Sequence, residues 1–253
     1  MHPATFSLQR YLARIGITSA PDMTAEGLAT LMRAQLYTVP FENLDVQAGK
    51  IVSMVPDEIA TKILDHSRGG YCYEVNGLFA MALEALDVPY YFVAARPMFY
   101  PVRRPKTHMA LIVTIEGERY LFDLGFGGNG IRLPLRLSDV GVDIQQENET
   151  FRLLLSDDGI YTVQSRGNDG WEDQYGFDLT PQEWIDFVPA NHLNSTHPDT
   201  IFVKKLLVVL QNPTGKTILL DDVLKIISDG KTETREIPAP DRAAVLADVF
   251  GLS

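Results

Sequence analysis

The hydrophobic period of this chain changes near Pro89, and that change constrains its architecture more than any other feature. Before it, apolar residues recur at steps of three and four; after it they fall in short β-branched and aromatic runs separated by Gly, Asp and Pro. The strongest helical pattern lies just ahead of the change. Val75, Leu78, Phe79, Ala82, Leu83 and Leu86 share one face, which predicts a buried helix opening at or just after Cys72. Upstream, Leu8, Tyr11, Leu12 and Ile15 predict a helix stopped at Gly16, and Leu28, Leu31 and Met32 a second ending before Pro40. Ile59 and Ile63 belong to a third, running from Pro56 to the Gly69-Gly70 pair. Residues 1–88 therefore read as a helical bundle.

Runs at residues 90–95, 109–115, 119–124, 151–155 and 160–164 predict an antiparallel β-barrel within residues 89–190. Residues 191–253 read as a small α/β lid, with a strand at 205–211, a turn at Asn212-Pro213-Thr214-Gly215 and a helix at 241–250 opened by Pro240. The expected class is α+β, a single core built from three parts.

Composition narrows the function. Asp and Glu outnumber Lys and Arg by 33 to 22, and the resulting net charge of −11 repels phosphate backbones and anionic lipid, so no nucleic-acid partner is expected. A membrane partner is not expected either, since no stretch approaches the roughly 18 apolar residues of a spanning helix. The first sixteen residues lack the apolar core and cleavage site of a signal peptide, and a single cysteine permits no intramolecular disulfide. Both features point to the cytoplasm. Nothing in the sequence indicates a metal site or fixes an oligomeric state.

A lone cysteine is by default a small buried hydrophobe. Cys72 differs in its surroundings. Gly69-Gly70 allows a tight backbone approach ahead of the helix, and a thiol at a helix N-terminus is expected to be stabilised as thiolate by unpaired N–H groups and the dipole. Those N–H groups are also candidates for an oxyanion hole. A cysteine nucleophile needs a base, and the chain offers His2, His66, His108, His192 and His197. His2 is terminal, His66 sits in a last helical turn, and His192 and His197 fall in a polar stretch, residues 191–200, read as an exposed loop. His108 remains, at the start of a strand. If Glu116-Gly117 is a two-residue hairpin loop, Ala110 faces Asp123 and His108 lies one diagonal step away on the same face. Asp123 can then hold the imidazole, which is triad logic; a one-residue slip would break the contact.

Gly125-Phe126-Gly127-Gly128-Asn129-Gly130 satisfies the dinucleotide-binding pattern G-x-G-x-x-G literally. Its context rejects that reading, because Ile131-Arg132-Leu133-Pro134 starts no helix and no βαβ unit surrounds it.

The segments Pro40-Phe41-Glu42-Asn43-Leu44, Arg68-Gly69-Gly70-Tyr71-Cys72-Tyr73-Glu74 with Asn76-Gly77-Leu78, Thr107-His108, and Asp123-Leu124-Gly125-Phe126-Gly127 resemble, in order, the signature segments of the arylamine N-acetyltransferases. Residues 194–202 resemble a further one. The resemblance implies a helical bundle, β-barrel and α/β lid around a core related to papain-like cysteine enzymes. It implies Cys72 as the acetylated nucleophile, His108 as base and Asp123 as its orienter. Phe41, Phe126 and Phe202 would line the acceptor pocket, Thr107, Gly125 and Gly127 would lie beside the acyl or CoA end, and Glu42 would pair with Arg68. Val75 stands where many bacterial members carry a polar residue. The implied partners are acetyl-CoA, as co-substrate and not a bound cofactor, and an arylamine, arylhydrazine or N-arylhydroxylamine. An amide synthase with a carrier-bound acyl donor, or a papain- or transglutaminase-like hydrolase, would share the triad order.

Overall fold

Helix boundaries in the N-terminal part fall where side chains supply or withhold backbone partners. The computed structural model describes residues 3–252, so His2 lies outside the described residues. Helix α1 (Leu8–Arg14) is capped by Ser7 and stops ahead of Gly16, whose φ of +75° ends the helical run. Helix α2 (Ala25–Thr38) opens on Thr24, whose Oγ1 accepts from the Gly27 N–H at 3.1 Å, and ends ahead of Pro40. A two-residue strand β1 (Phe41–Glu42) and a single-turn helix α3 (Leu44–Gln47) follow; both are too short for any period to announce them. Helix α4 (Pro56–Asp65) starts on its proline and stops short of Gly69-Gly70.

Helix α5 (Cys72–Ala85) takes Cys72 as its first residue, and Glu74 Oε2 accepts from the Tyr71 N–H at 3.1 Å to satisfy the helix start. Twelve of its fourteen residues are buried, well beyond the apolar face alone. It packs against both α4 and the central sheet, so it is enclosed on every side.

That sheet contains β2 (Tyr90–Pro97), β3 (His108–Ile115), β4 (Glu118–Phe122), β5 (Leu135–Arg136), β6 (Ile144–Gln146), β7 (Glu149–Leu155), β8 (Tyr161–Gly167) and β9 (Gly170–Phe177). Its order is β5-β4-β3-β2-β9-β8-β7-β6, antiparallel throughout. The expected barrel is corrected to an open, curled sheet, with β5 and β6 as its edges. These edges are too short to complete a ladder, and a side chain spans the gap instead. Gln146 Oε1 accepts from the N–H groups of Arg132 at 2.7 Å and Leu133 at 3.0 Å, while Nε2 donates to the Leu133 oxygen at 2.9 Å. The β3–β4 hairpin has the register expected from a two-residue loop, pairing Ile115 with Glu118 and Leu111 with Phe122. Glu116 and Gly117 carry φ of +52° and +83°, as such a loop requires.

The C-terminal part contains α6 (Val188–Thr196), α7 (Ile201–Lys204), β10 (Leu207–Asn212), β11 (Gly215–Leu220), β12 (Val223–Ser228), β13 (Lys231–Glu236) and α8 (Arg242–Phe250). Helix α6 corrects the loop expected at residues 191–200. Its inward face is polar: Asn191 Nδ2 donates to the Val52 oxygen at 2.9 Å, and Asn194 Nδ2 to that of Thr107 at 3.0 Å, so burial left no apolar period to read. His192 and His197 are exposed, as expected. The second sheet runs β1-β10-β11-β12-β13, with Phe41 opposite Val209 and Glu42 opposite Val208. A strand from the N-terminal part thus completes the C-terminal sheet. Among the described residues, no helix is long and apolar enough to cross a membrane.

Candidate active site

The approach to Cys72 is built by backbone contact. The Gly70 N–H donates to the Pro40 oxygen at 3.2 Å, and the Glu42 N–H to the Gly70 oxygen at 3.1 Å. A Cβ on Gly69 would lie 1.9 Å from the Pro40 oxygen, so only glycine fits between these strands. This pairing brings Phe41 beside Cys72. Behind it, the Arg68–Glu42 pair implied by the resemblance is present, with Arg68 Nη2 2.8 Å from Glu42 Oε1. It belongs to a larger network: Lys62 Nζ lies 2.6 Å from both Asp45 Oδ2 and Glu74 Oε1.

Glu74 has a titration consequence. Burial pushes its carboxyl from 4.5 up to about 7, with Lys62 pulling against that rise and Glu42 reinforcing it. The unfolded carboxyl loses its proton near 4.5 and the folded one near 7, so between those values the folded state holds more protons. Stability contributed at this site therefore falls as pH rises from about 4.5 to about 7. Melting temperatures across that window should show the decline in the parent and a flatter profile in Glu74→Gln; identical slopes would assign the decline elsewhere.

His108 opens β3, where it sits opposite Ala95, and Asp123 follows the last residue of β4. The hairpin sets the two on one face, and His108 Nε2 lies 2.7 Å from Asp123 Oδ2. The carboxylate's other oxygen accepts from the Gly125 N–H at 2.9 Å and from Asn76 Nδ2 at 3.1 Å. Burial pushes the Asp123 carboxyl up, but the His108 ring and these N–H donors together hold it below its ordinary range. With Nε2 engaged, Nδ1 is the nitrogen left to exchange a proton.

Cys72 is buried, its Sγ 4.0 Å from the Thr107 oxygen. Burial, and then the Asp123 charge, push its thiol well up; backbone hydrogen bonds from Met109 and Tyr73 pull it down without reversing the shift. The stabilisation expected from the helix N-terminus is thus opposed at this site by desolvation of the charged form. Burial and the helix N-terminus therefore act in opposite directions on this thiol.

Cys72 and His108 line one cavity. Every substrate-side residue implied by the resemblance lines it too: Phe41, Phe126, Phe202, Thr107, Gly125 and Gly127. The Phe41 and Phe202 centroids are 6.0 Å apart, and Phe126 stands edge-on to His108 at 5.0 Å. Asp123 lies behind His108, outside the cavity lining. The segment that matched G-x-G-x-x-G forms a short 3-10 turn, Gly127–Asn129, and no helix follows it.

Sequence reasoning quoted Asn76 without giving it a task. One turn after Cys72, it donates to the Met109 oxygen at 2.7 Å as well as to Asp123, and its Oδ1 accepts from the Leu124 N–H at 2.8 Å. It ties α5 to both strands that carry the other two groups. Tyr175, from the unanticipated β9, packs its ring 5.0 Å from His108 and 4.6 Å from Phe126, with its hydroxyl facing Asp123.

Residues 24–253 match a family model described as N-acetyltransferase. The chain is 32% identical over 219 residues to the arylamine N-acetyltransferase / N-hydroxyarylamine O-acetyltransferase of Salmonella typhimurium, covering 85% of this chain and 77% of that one. The solved arylamine N-acetyltransferase structure from Salmonella typhimurium superposes with a TM-score of 0.93 at 31% identity, over 99% of this chain and 92% of that one. The Mycobacterium marinum enzyme solved in complex with CoA gives 0.91 at 32% identity, over 97% and 93%.

Proposed function

The chain belongs to the arylamine N-acetyltransferase family, and from that premise we propose that Cys72 carries an acetyl group from acetyl-CoA to an aromatic amine, hydrazine or N-arylhydroxylamine, with His108 and Asp123 moving the protons. The observation that carries this reading is the 2.7 Å His108–Asp123 hydrogen bond behind a cavity that Cys72 and His108 share.

In the first half-reaction His108 Nδ1 takes the thiol proton as Sγ attacks the thioester carbonyl. The tetrahedral intermediate collapses, the carbon–sulfur bond to CoA breaks, and the CoA thiolate leaves with the proton from His108. An arylamine is largely unprotonated at neutral pH, so its lone pair can attack the acetyl-cysteine. On collapse, the bond to Cys72 breaks, and His108 relays the proton lost by nitrogen to the departing sulfur. Asp123 holds the ring through Nε2 and stabilises the transient imidazolium. The N–H groups at the head of α5 would then donate to the developing oxyanion. Phe41, Phe126 and Phe202 give the intermediate a wall that holds little water, which favours transfer over hydrolysis.

In this reading a helical part up to residue 88, a sheet part at 89–190 and a lid from residue 191 onward share the site, and the order of cysteine helix, histidine strand and carboxylate supports kinship with cysteine-proteinase cores. Intact-mass measurement after exposure to acetyl-CoA alone tests the proposal. One acetyl group should be gained, removed by aniline or hydrazine, and absent in Cys72→Ser. An unchanged parent mass would sink it.

A further inference from the structure

Although the chain carries a net charge of −11, residues 96–106 hold Arg96, Arg103, Arg104 and Lys106 and no Asp or Glu. This segment joins β2 to β3, and its Pro97, Phe99, Tyr100, Arg104 and Pro105 line the cavity that contains Cys72 and His108. Lys106 is neutralised by Asp178, and Arg96 donates to the Arg104 main-chain oxygen. The Arg104 guanidinium has weaker partners. Its Cζ sits 4.7 Å from the centre of the Tyr100 ring, and Nη2 donates to the Asp199 main-chain oxygen at 3.4 Å. Its Nε is buried with no hydrogen-bond partner among the described residues. Asp199, which feels the Arg104 charge, has its carboxylate bound to Lys204 at 3.0 Å.

Aromatic rings connect this cation to the reacting centre. Centroids run from His108 to Phe126 at 5.0 Å, from Phe126 to Phe99 at 5.8 Å and from Phe99 to Tyr100 at 4.3 Å. A wall of rings that ends in an incompletely paired guanidinium is complementary to a substrate whose reacting end is flat or apolar and whose far end is an oxyanion. The acidic remainder of the protein repels such a substrate, and a local basic rim offsets that repulsion where entry occurs.

We propose that Arg104 is a specificity-determining residue that binds an oxyanion of the substrate at the cavity rim. The proposal rests on the reading of Cys72 as acetyl carrier. The oxyanion has two sources, a carboxylate on the aromatic amine or a phosphate of CoA, and the planar guanidinium fork suits both.

Ping-pong kinetics separate them, because kcat/KM for each substrate reports its own half-reaction alone. Arg104→Gln is compared with the parent on two donors, acetyl-CoA and acetyl-pantetheine, and two acceptors, 4-aminobenzoate and 4-methylaniline. In at least one pair the charged member should lose about tenfold or more in kcat/KM while its neutral counterpart stays within about twofold. Loss confined to acetyl-CoA assigns the phosphate, and loss confined to aminobenzoate the carboxylate. Arg104→Lys should recover part of the loss, and the deficit should shrink as salt is raised through the range where screening becomes strong, roughly 0.05 to 0.5 M. Equal change in charged and neutral members, or no change in any, overturns the proposal. The neutral substrates also report whether the variant is folded. Failure of this inference leaves the parent acetylated by acetyl-CoA, whereas failure of the underlying reading leaves it unacetylated.

Discussion

Asp123→Asn is expected to lower the rate of Cys72 acetylation by roughly 10⁴ while leaving the fold intact, the size of the loss seen when the same group is changed in the Ser-His-Asp template. The reason lies in which ring nitrogen carries a proton. Asp123 Oδ2 accepts from His108 Nε2 at 2.7 Å, so Nδ1 keeps a free lone pair for the thiol proton. Oδ1 already accepts from Gly125 and Asn76, so an asparagine would keep its oxygen there and turn its NH₂ toward the ring. That donor selects the tautomer with a bare Nε2 and a protonated Nδ1, which cannot act as base. Burial pushes the Cys72 thiol up, which makes the loss of a competent base more costly. Single-turnover acetylation measured by quenched-flow mass analysis is the direct test, with unchanged circular dichroism as the control. A variant within about threefold of the parent would remove Asp123 from the mechanism.

Gly125→Ala is expected to cost both stability and activity. A Cβ at this position would lie 2.5 Å from Cys72 Cα and 2.9 Å from both Cys72 Cβ and Asn76 Nδ2. None of these is the free end of a flexible chain, so α5 and the segment after β4 have to separate. Overpacking of this kind costs roughly 1–3 kcal/mol. On the proposed mechanism, a displacement of about 1 Å between Cys72 and His108 costs roughly 100-fold in rate. The nearby Gly128→Ala supplies the contrast, since its Cβ would meet only Ile218 Cδ1 at 3.6 Å, an ordinary contact, and the parent melting temperature should be kept. Equal melting temperatures for the two variants would show that the close approach at Gly125 is relaxed at no cost.

Much of this arrangement was legible before any coordinates. The register of β3 and β4 followed from a two-residue loop of Glu and Gly, and with it the meeting of His108 and Asp123. Cys72 fell at a helix start because the apolar pattern behind it was long and regular. What escaped has a common physical origin. In β9, Trp171-Glu172-Asp173-Gln174 interrupts the alternation that Tyr175 and Phe177 would have shown, and in α6 the buried face consists of Asn191, Asn194 and Ser195. The α6 side chains bond to residues distant in sequence, and β9, although the hairpin partner of β8, carries polar residues through its middle; neither leaves a local apolar period to read. Asn76 was visible as a residue but not as a link, because its three bonds reach residues 33 to 48 positions away. The opposing influences on the Cys72 thiol differ in the same way. The dipole of its helix is a local property, whereas the burial that opposes it is assembled by the whole fold.

Strand β1 has a temporal meaning. It pairs with β10, and Phe41 also bridges to Gly70, two residues before Cys72. During synthesis the first half of the chain leaves the ribosome with that pairing edge bare, since Val208 and Val209 have not yet been made. Closing a loop of this length is a late and slow event in folding. The surroundings of Cys72 therefore reach their final form only after the C-terminal third has emerged and docked. A prematurely terminated chain would carry Cys72, His108 and Asp123 and still lack the backbone that sets one of them in place.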